Sequence, residues 1–233
     1  MNATEQTQAI RHFYTLLDDL EQRLGGRRLL KDCTSKGWPH RGVYFFFEPG
    51  EQRTVTGEGA RVVRIGTHAV SANSKTSLWN RLSQHKGKVR DGGGNHRGSI
   101  FRSHVGSALL ARDGLTLATW GIGSSAGQTV KQAEHEHEQR VSQTLGQFGV
   151  LWLSVGDAPG KDSERAFVEQ NAIALLNNVN AGTDPGSETW LGRQAQAPAI
   201  RRSALWNVRH VDDRVDPEFL SVFERLVRGH DAV

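Results

Sequence analysis

The stretch Val43–Phe47 constrains this chain most, because all five of its residues are apolar or aromatic. Side chains of a strand point alternately to the two faces of a sheet, so a strand that is apolar throughout is covered on both faces. Residues 61–67 form a second candidate strand, and a turn at 48–51 with a polar loop at 52–60 separates the two. We expect the two strands to pair as neighbours in a central sheet with helices on both sides.

Helical patterns surround these strands. Residues 5–24 carry an apolar stripe at helical spacing, and Gly25 and Gly26 end it. Further segments are predicted as helices at 76–86, around 99–111, at 129–146, from Ser163 to about Asn178 and from Asp216 to Gly229, and as strands at 115–120 and 149–155. This order predicts an α+β fold with a small mixed or antiparallel central sheet flanked by helices. We expect an N-terminal helix and linker (1–41), a core (42–180) with an insertion around 87–127, and a C-terminal loop and helix packed on the core (181–233).

Charge favours a polyanionic partner. The 233 residues carry a formal net charge of +4, and basic residues cluster between Arg81 and Arg102. Lys and Arg release counterions when they neutralise phosphates, so such a cluster is typical of nucleic-acid binding. The residues expected to contact nucleic acid are Lys86, Lys88, Arg90, His96, Arg97 and Arg102. His96 and Arg97 follow three glycines, which fits either a mobile strap over the DNA backbone or a plain flexible loop.

Several protein classes do not fit the composition. No apolar run approaches the roughly 20 residues that span a bilayer, and the N-terminal residues are polar, unlike a signal peptide. Cys33 is the only cysteine, so neither a disulfide nor a cysteine zinc site can form within one chain. We expect a reduced, cytoplasmic protein without membrane contact, acting as a monomer or a homodimer.

Four short segments together favour phosphodiester hydrolysis. If the two strands pair, alternation places Tyr44 and Arg64 on one sheet face. Arg81 and His85 are four residues apart on one helix, where arginine can hold a phosphate and histidine can accept a proton. Glu169 lies on a later helix, and one carboxylate is enough for Mg²⁺, which keeps most of its waters. Each residue alone has an ordinary structural explanation, but their order in the chain favours a shared site.

These segments resemble the GIY-YIG nuclease superfamily over about residues 42–180. Gly42-Val43-Tyr44 and Arg64-Ile65-Gly66 correspond to the two naming motifs, and the Arg81–His85 spacing resembles the restriction-endonuclease branch. The resemblance implies a metal-dependent endonuclease that hydrolyses DNA, most naturally duplex DNA, in a restriction or genome-defence setting.

The resemblance also implies residue roles. Tyr44 corresponds to the general base, Arg81 to the phosphate-stabilising arginine, His85 to a proton-transfer residue and Glu169 to the ligand of Mg²⁺ or Mn²⁺. Asn178 corresponds to a supporting asparagine, with Asn177 and Asn180 as alternatives. Arg64 replaces the second-motif tyrosine, and because a guanidinium cannot act as a base, its expected role is positioning or charge.

Two other functions remain open at this stage. The missing second tyrosine fits a catalytically inactive nucleic-acid-binding protein on the same scaffold. The glycine-rich segment 121–127, after the predicted strand 115–120, resembles the phosphate loop of a dinucleotide-binding unit. The run Glu134–Glu138 invites a metal interpretation, but His135 and His137 are two residues apart and point to different sides of a helix. We expect that run to be a solvated helix face.

Overall fold

The computed structural model describes residues 2–88, 90–179 and 183–230. Within them, four antiparallel strands form one sheet in the order β1-β4-β2-β3. The strands are β1 (Arg28–Leu29), β2 (Gly42–Gln52), β3 (Ala60–Gly66) and β4 (Gly149–Ser154). The helices are α1 (Ala3–Arg23), α2 (Leu78–Lys86), α3 (Ile100–Arg112), α4 (Gln128–Gly146), α5 (Glu164–Leu176), α6 (Pro198–Ser203) and α7 (Phe219–Arg228). The predicted α+β class and the pairing of the two strands are confirmed.

Strand β2 is central and its apolar run is buried on both faces, as its sequence predicts. On one face, Phe45 contacts Phe13 of α1 and Phe223 of α7, with ring centroids 6.0 Å apart in each case. On the other face, Phe46 packs against Phe101 of α3 at 5.6 Å. The sheet is therefore the middle layer between helices, and Tyr44 shares the α3 side with Phe46.

Three predicted elements differ from the structure. Residues 48–51 continue strand β2 rather than forming a turn, with register shifts after Phe46 and Phe47. Helix α7 begins at Phe219, later than predicted. Residues 115–120 form an irregular segment and a turn at 118–120 rather than a strand. Trp120 packs over Gly106 of α3, and its Nε1 donates to the carbonyl of Ser103 at 3.1 Å.

The outer edge of β3 is occupied by the C-terminal segment. Trp206 N donates to Val63 O at 2.7 Å, and the side chain of Asn207 accepts from Ile65 N at 3.1 Å and donates to Ile65 O at 2.8 Å. This contact brings residues 204–207 beside Arg64. None of the described helices is long and apolar enough to cross a membrane.

Candidate active site

Tyr44 and Arg64 lie on one face of the sheet. Tyr44 is paired with Gly66 and Phe46 with Arg64, so the alternation expected from the sequence is confirmed. The phenol of Tyr44 lies directly over Gly66: a Cβ atom added there would be 2.1 Å from the hydroxyl oxygen. Glycine at this motif position therefore makes room for the tyrosine side chain.

His85 links Tyr44 to a serine. Its Nε2 lies 2.8 Å from the Tyr44 hydroxyl, and its Nδ1 lies 2.8 Å from Ser99 Oγ. Burial, and then the charges of Arg81, Arg64 and Arg102, lower the pKa of His85 well below its ordinary value. The imidazole is therefore neutral at physiological pH and can accept a proton. Ser99 was not among the residues predicted from the sequence, because its only local signal is its place as the N-cap of α3.

Arg64 is buried beside the hydrogen-bonded chain formed by Tyr44, His85 and Ser99. Its Nη1 donates to Trp206 O at 2.7 Å, and its guanidinium lies 4.6 Å from the centre of the Phe101 ring. Its Nε is buried and has no hydrogen-bond partner among the described residues. Glu48, on the neighbouring strand β2, accepts from the indoles of Trp190 and Trp206.

Glu169 reaches the end of β3 from α5. Its Oε1 accepts the Thr67 N–H at 3.2 Å, while Oε2 has no hydrogen bond within the described part of the chain. Burial raises the pKa of this carboxyl, and the charges of Arg64, His210 and Arg81 and the bond from Thr67 oppose the increase. These influences show that both predicted arginines lie near Glu169. Arg81 is half-exposed, and its Nη1 donates to Gln84 Oε1 at 3.0 Å.

The donor set suits one hard cation. Among the described residues, no group of three or more His, Cys, Asp or Glu side chains could enclose a metal. Mg²⁺ needs only one or two carboxylates because it retains waters. A desolvated carboxylate with an unbonded oxygen, as at Glu169, fits that requirement.

The predicted supporting asparagines are occupied locally. Asn178 Oδ1 accepts the Thr183 hydroxyl, and the Asn177 side chain bonds to Ala174 O and Val179 N. No hydrogen bond joins either residue to Tyr44, His85 or Glu169, and Asn180 lies outside the described residues. Among the described asparagines, Asn207 is the one whose side chain bonds to a motif strand, at Ile65 of β3.

Three of the residues predicted to contact nucleic acid are interior instead. The Arg102 side chain is 0% exposed and forms an ion pair with Glu138 at 2.6 Å. His96 Nδ1 bonds to the same carboxylate at 2.9 Å, and Arg97 pairs with Glu134 at 2.6 Å. The prediction for these three residues is therefore corrected: their polar groups are taken by buried carboxylates, and the loop holding His96 and Arg97 is fastened to α4.

The remaining basic residues face outward to different degrees. Lys88 and Arg90 are exposed just beyond α2, whereas the ammonium of Lys86 donates to Cys33 O at 2.6 Å. Lys88 and Arg90 are thus the predicted contacts that are free to meet a phosphate backbone.

The run Glu134–Glu138 also differs from the prediction. Glu134, His137 and Glu138 are buried, so this face of α4 is an interior face rather than a solvated one. His137 Nε2 bonds to Gly106 O at 3.0 Å, while His135 is half-exposed on another side.

The segment 121–127 does not form a dinucleotide-binding unit. Helix α4 follows it, but residues 115–120 before it are not a strand. The strand–loop–helix arrangement that cradles a pyrophosphate is therefore absent from this described segment.

Comparison with known proteins agrees with the geometry. A family model described as a GIY-YIG domain matches residues 4–233. No curated protein and no solved structure matches the chain. The match covers nearly the whole sequence, including both motif strands and the helices that carry Arg81, His85 and Glu169. The chain therefore belongs to the GIY-YIG superfamily of nucleases.

Proposed function

We propose that this protein is a metal-dependent endonuclease that hydrolyses phosphodiester bonds in duplex DNA, in a restriction or genome-defence setting. One observation carries the proposal: the hydrogen-bonded chain from Tyr44 through His85 to Ser99, beside two arginines and a desolvated carboxylate. This arrangement can move a proton and hold negative charge in one place.

Tyr44 and His85 would activate the attacking water together. The water proton passes to the Tyr44 oxygen as the phenol proton passes to His85 Nε2, which requires the tautomer whose Nδ1–H donates to Ser99 Oγ. Burial, and then the charges of the surrounding arginines, keep His85 neutral at rest and oppose its protonation. A bound phosphate offsets that arginine charge, so proton transfer becomes easier once substrate is present.

The two arginines would divide the task of holding charge. Arg81 is half-exposed at the mouth of the site and can fork two donors onto a phosphate. Arg64 is fixed by Trp206 O and Phe101, and it brings a permanent charge to the place of the second-motif tyrosine. A fixed, preorganised charge of this kind stabilises a developing oxyanion at little reorganisation cost.

Glu169 would hold the metal ion through its unbonded Oε2. A bound Mg²⁺ or Mn²⁺ would supply the positive charge that phosphodiester hydrolysis requires. The Thr67 N–H fixes the other carboxylate oxygen and therefore orients the ligand.

Glu169→Gln tests this function. The change keeps the side-chain volume but removes the charged ligand, so Mg²⁺-dependent cleavage of a plasmid should fall by roughly 100-fold or more while DNA affinity stays nearly constant. Glu164→Gln is the matched control, because Glu164 lies on the same helix but pairs with Arg225 at the surface.

Each cleavage assay is run with Mg²⁺, Mn²⁺ or EDTA, on duplex DNA, single-stranded DNA and RNA. Full activity of Glu169→Gln would remove the metal assignment. Tight DNA binding by the wild-type protein without any cleavage would support the alternative, a catalytically inactive nucleic-acid-binding protein on this scaffold.

A further inference from the structure

Helix α4 buries two carboxylates that the proposed chemistry does not use. Glu134 and Glu138 are 2% and 4% exposed, and they lie one helical turn apart on the same face. Each pairs with one arginine, Glu134 with Arg97 and Glu138 with Arg102. Desolvating a charge is costly, and a buried ion pair is often no more stabilising than an apolar pair. Two such pairs therefore call for a reason beyond stability.

Glu138 binds two segments at once. Its Oε1 accepts from His96 N at 2.6 Å and from His96 Nδ1 at 2.9 Å, and its Oε2 accepts from Arg102 Nη2 at 2.6 Å. His96 Nε2 accepts the Gly121 N–H at 3.0 Å, so the ring proton lies on Nδ1 and points to Glu138. Burial opposes the charge of Glu138, but the bonds from His96 and the charge of Arg102 lower its pKa to about 2.

Both partners of Glu138, Arg102 and His96, also form hydrogen bonds to the catalytic chain, which is the hydrogen-bonded series Tyr44, His85 and Ser99. Arg102 Nη1 donates to the backbone carbonyl of His85 at 2.9 Å, and Arg102 N donates to Ser99 Oγ at 3.3 Å. His96 O accepts the Ser99 N–H at 3.1 Å. Two successive hydrogen bonds therefore connect Glu138 to His85 and also to Ser99. These two residues are themselves joined by the hydrogen bond between His85 Nδ1 and Ser99 Oγ.

Among the described residues, Glu134 has no comparable connection to His85 or Ser99. Its partner Arg97 donates to the carbonyls of Ile122 and Thr119, each at 3.0 Å, and these lie in the segment after α3. The two carboxylates therefore have similar burial and similar pairing, but only one of them reaches the catalytic chain. This difference provides an internal control.

We propose that Glu138 is a positioning residue for His85: through Arg102 and His96 it fixes the imidazole and the Ser99 hydroxyl in the orientation that keeps His85 Nε2 against Tyr44. The proposal rests on the proposed nuclease function. It assigns Glu138 alone a role in catalysis, and that role is exerted without any contact to substrate.

The test compares Glu138→Gln with Glu134→Gln. Both changes break a buried ion pair, so both should lower the melting temperature by similar amounts. Only Glu138→Gln should lower kcat, by about 10- to 100-fold, the usual effect of losing a residue that orients a catalytic ligand. DNA affinity, measured with Ca²⁺ in place of Mg²⁺, should stay within about twofold for both. Equal kcat losses in the two variants would overturn the proposal.

A double-mutant cycle with Ser99→Ala adds a test of the pathway. If Glu138 acts through Ser99 and His85, the combined loss in Glu138→Gln/Ser99→Ala should be clearly smaller than the product of the two single losses. The losses in Glu134→Gln/Ser99→Ala should multiply. Multiplying losses in the Glu138 cycle would contradict the proposal.

Two further measurements cover failure of the first variants. If the glutamine variants do not fold, Glu138→Asp and Glu134→Asp replace them, because the shorter carboxylate cannot span His96 and Arg102 together. If the wild-type protein cleaves nothing, the proposed function fails. In that case the ¹⁵N chemical shifts of the His85 ring, measured by NMR, test separately whether Glu138 positions His85. They should change in Glu138→Gln and not in Glu134→Gln, and unchanged shifts in both would refute it.

Discussion

Gly66→Ala should disable the site without altering any side chain that takes part in catalysis. The added Cβ would lie 2.1 Å from the Tyr44 hydroxyl oxygen and 2.3 Å from Cζ of the same ring. Ordinary contact begins near 3.4 Å, so the phenol must retreat by roughly 1.3 Å. The ring is buried against Phe46 and His85, so that movement disturbs its 2.8 Å bond to His85.

The expected magnitudes follow from this displacement. Forcing an extra methyl group into a packed interior costs about 1 to 3 kcal/mol of unfolding free energy. Displacing a catalytic group by about 1 Å typically lowers the rate about 100-fold. We therefore expect Gly66→Ala to fold with a lower urea midpoint and to cleave DNA about 100-fold more slowly, with little change in DNA affinity.

The assay pairs urea unfolding with single-turnover plasmid cleavage, and Gly156→Ala serves as the control. Gly156 has ordinary backbone geometry and open space where its Cβ would lie. That variant should stay within about 0.5 kcal/mol of the wild type and cleave normally. If Gly66→Ala keeps both the wild-type rate and the wild-type midpoint, Tyr44 does not lie over Gly66 and the geometry described for the site is wrong.

Two further predictions concern the surface and a buried carboxyl. Replacing Lys88 and Arg90 together by Ala should flatten the plot of log affinity against log salt by about 1.8 units, as measured by fluorescence anisotropy, if each contacts one phosphate. An unchanged slope would place the DNA elsewhere. Burial raises the pKa of Glu48 from 4.5 to about 7. The stability that depends on the protonated carboxyl is therefore fully present below about pH 4.5 and is lost as the pH rises through 7. Glu48→Gln should therefore be about 2 to 3 kcal/mol more stable than the wild type at pH 8 but not at pH 4, as followed by tryptophan fluorescence. Equal stability at pH 8 would show that the ionised carboxylate carries no cost.

The parts of the site that the sequence predicts depend on local periodicity. The two-residue period of a strand suffices to place Tyr44 with Arg64, and the helix period suffices to place His85 with Arg81. The Tyr44–His85 hydrogen bond itself joins residues 41 positions apart, so it depends on how α2 packs on the sheet.

The burial of the Arg97 and Arg102 side chains could not be predicted from local periodicity. Their partners, Glu134 and Glu138, lie 36 to 37 residues further along the chain, and composition alone makes the basic cluster look like a surface. The four-residue spacing of the two glutamates was a usable signal, since it puts them on one face of α4. Whether that face of α4 lies in solvent or pairs with arginines depends on the tertiary fold.

Strand β3 ends the sheet, and the side chain of Asn207 occupies both backbone groups that Ile65 would offer to a further strand. An unpaired edge invites another chain to add a strand, which is a common route to aggregation. Residues 204–207 therefore cover part of this edge as well as placing a carbonyl on Arg64. A protein trimmed to residues 42–180 would keep Tyr44, His85 and Glu169 but would expose this edge. We therefore expect it to aggregate even though these three catalytic residues are still present.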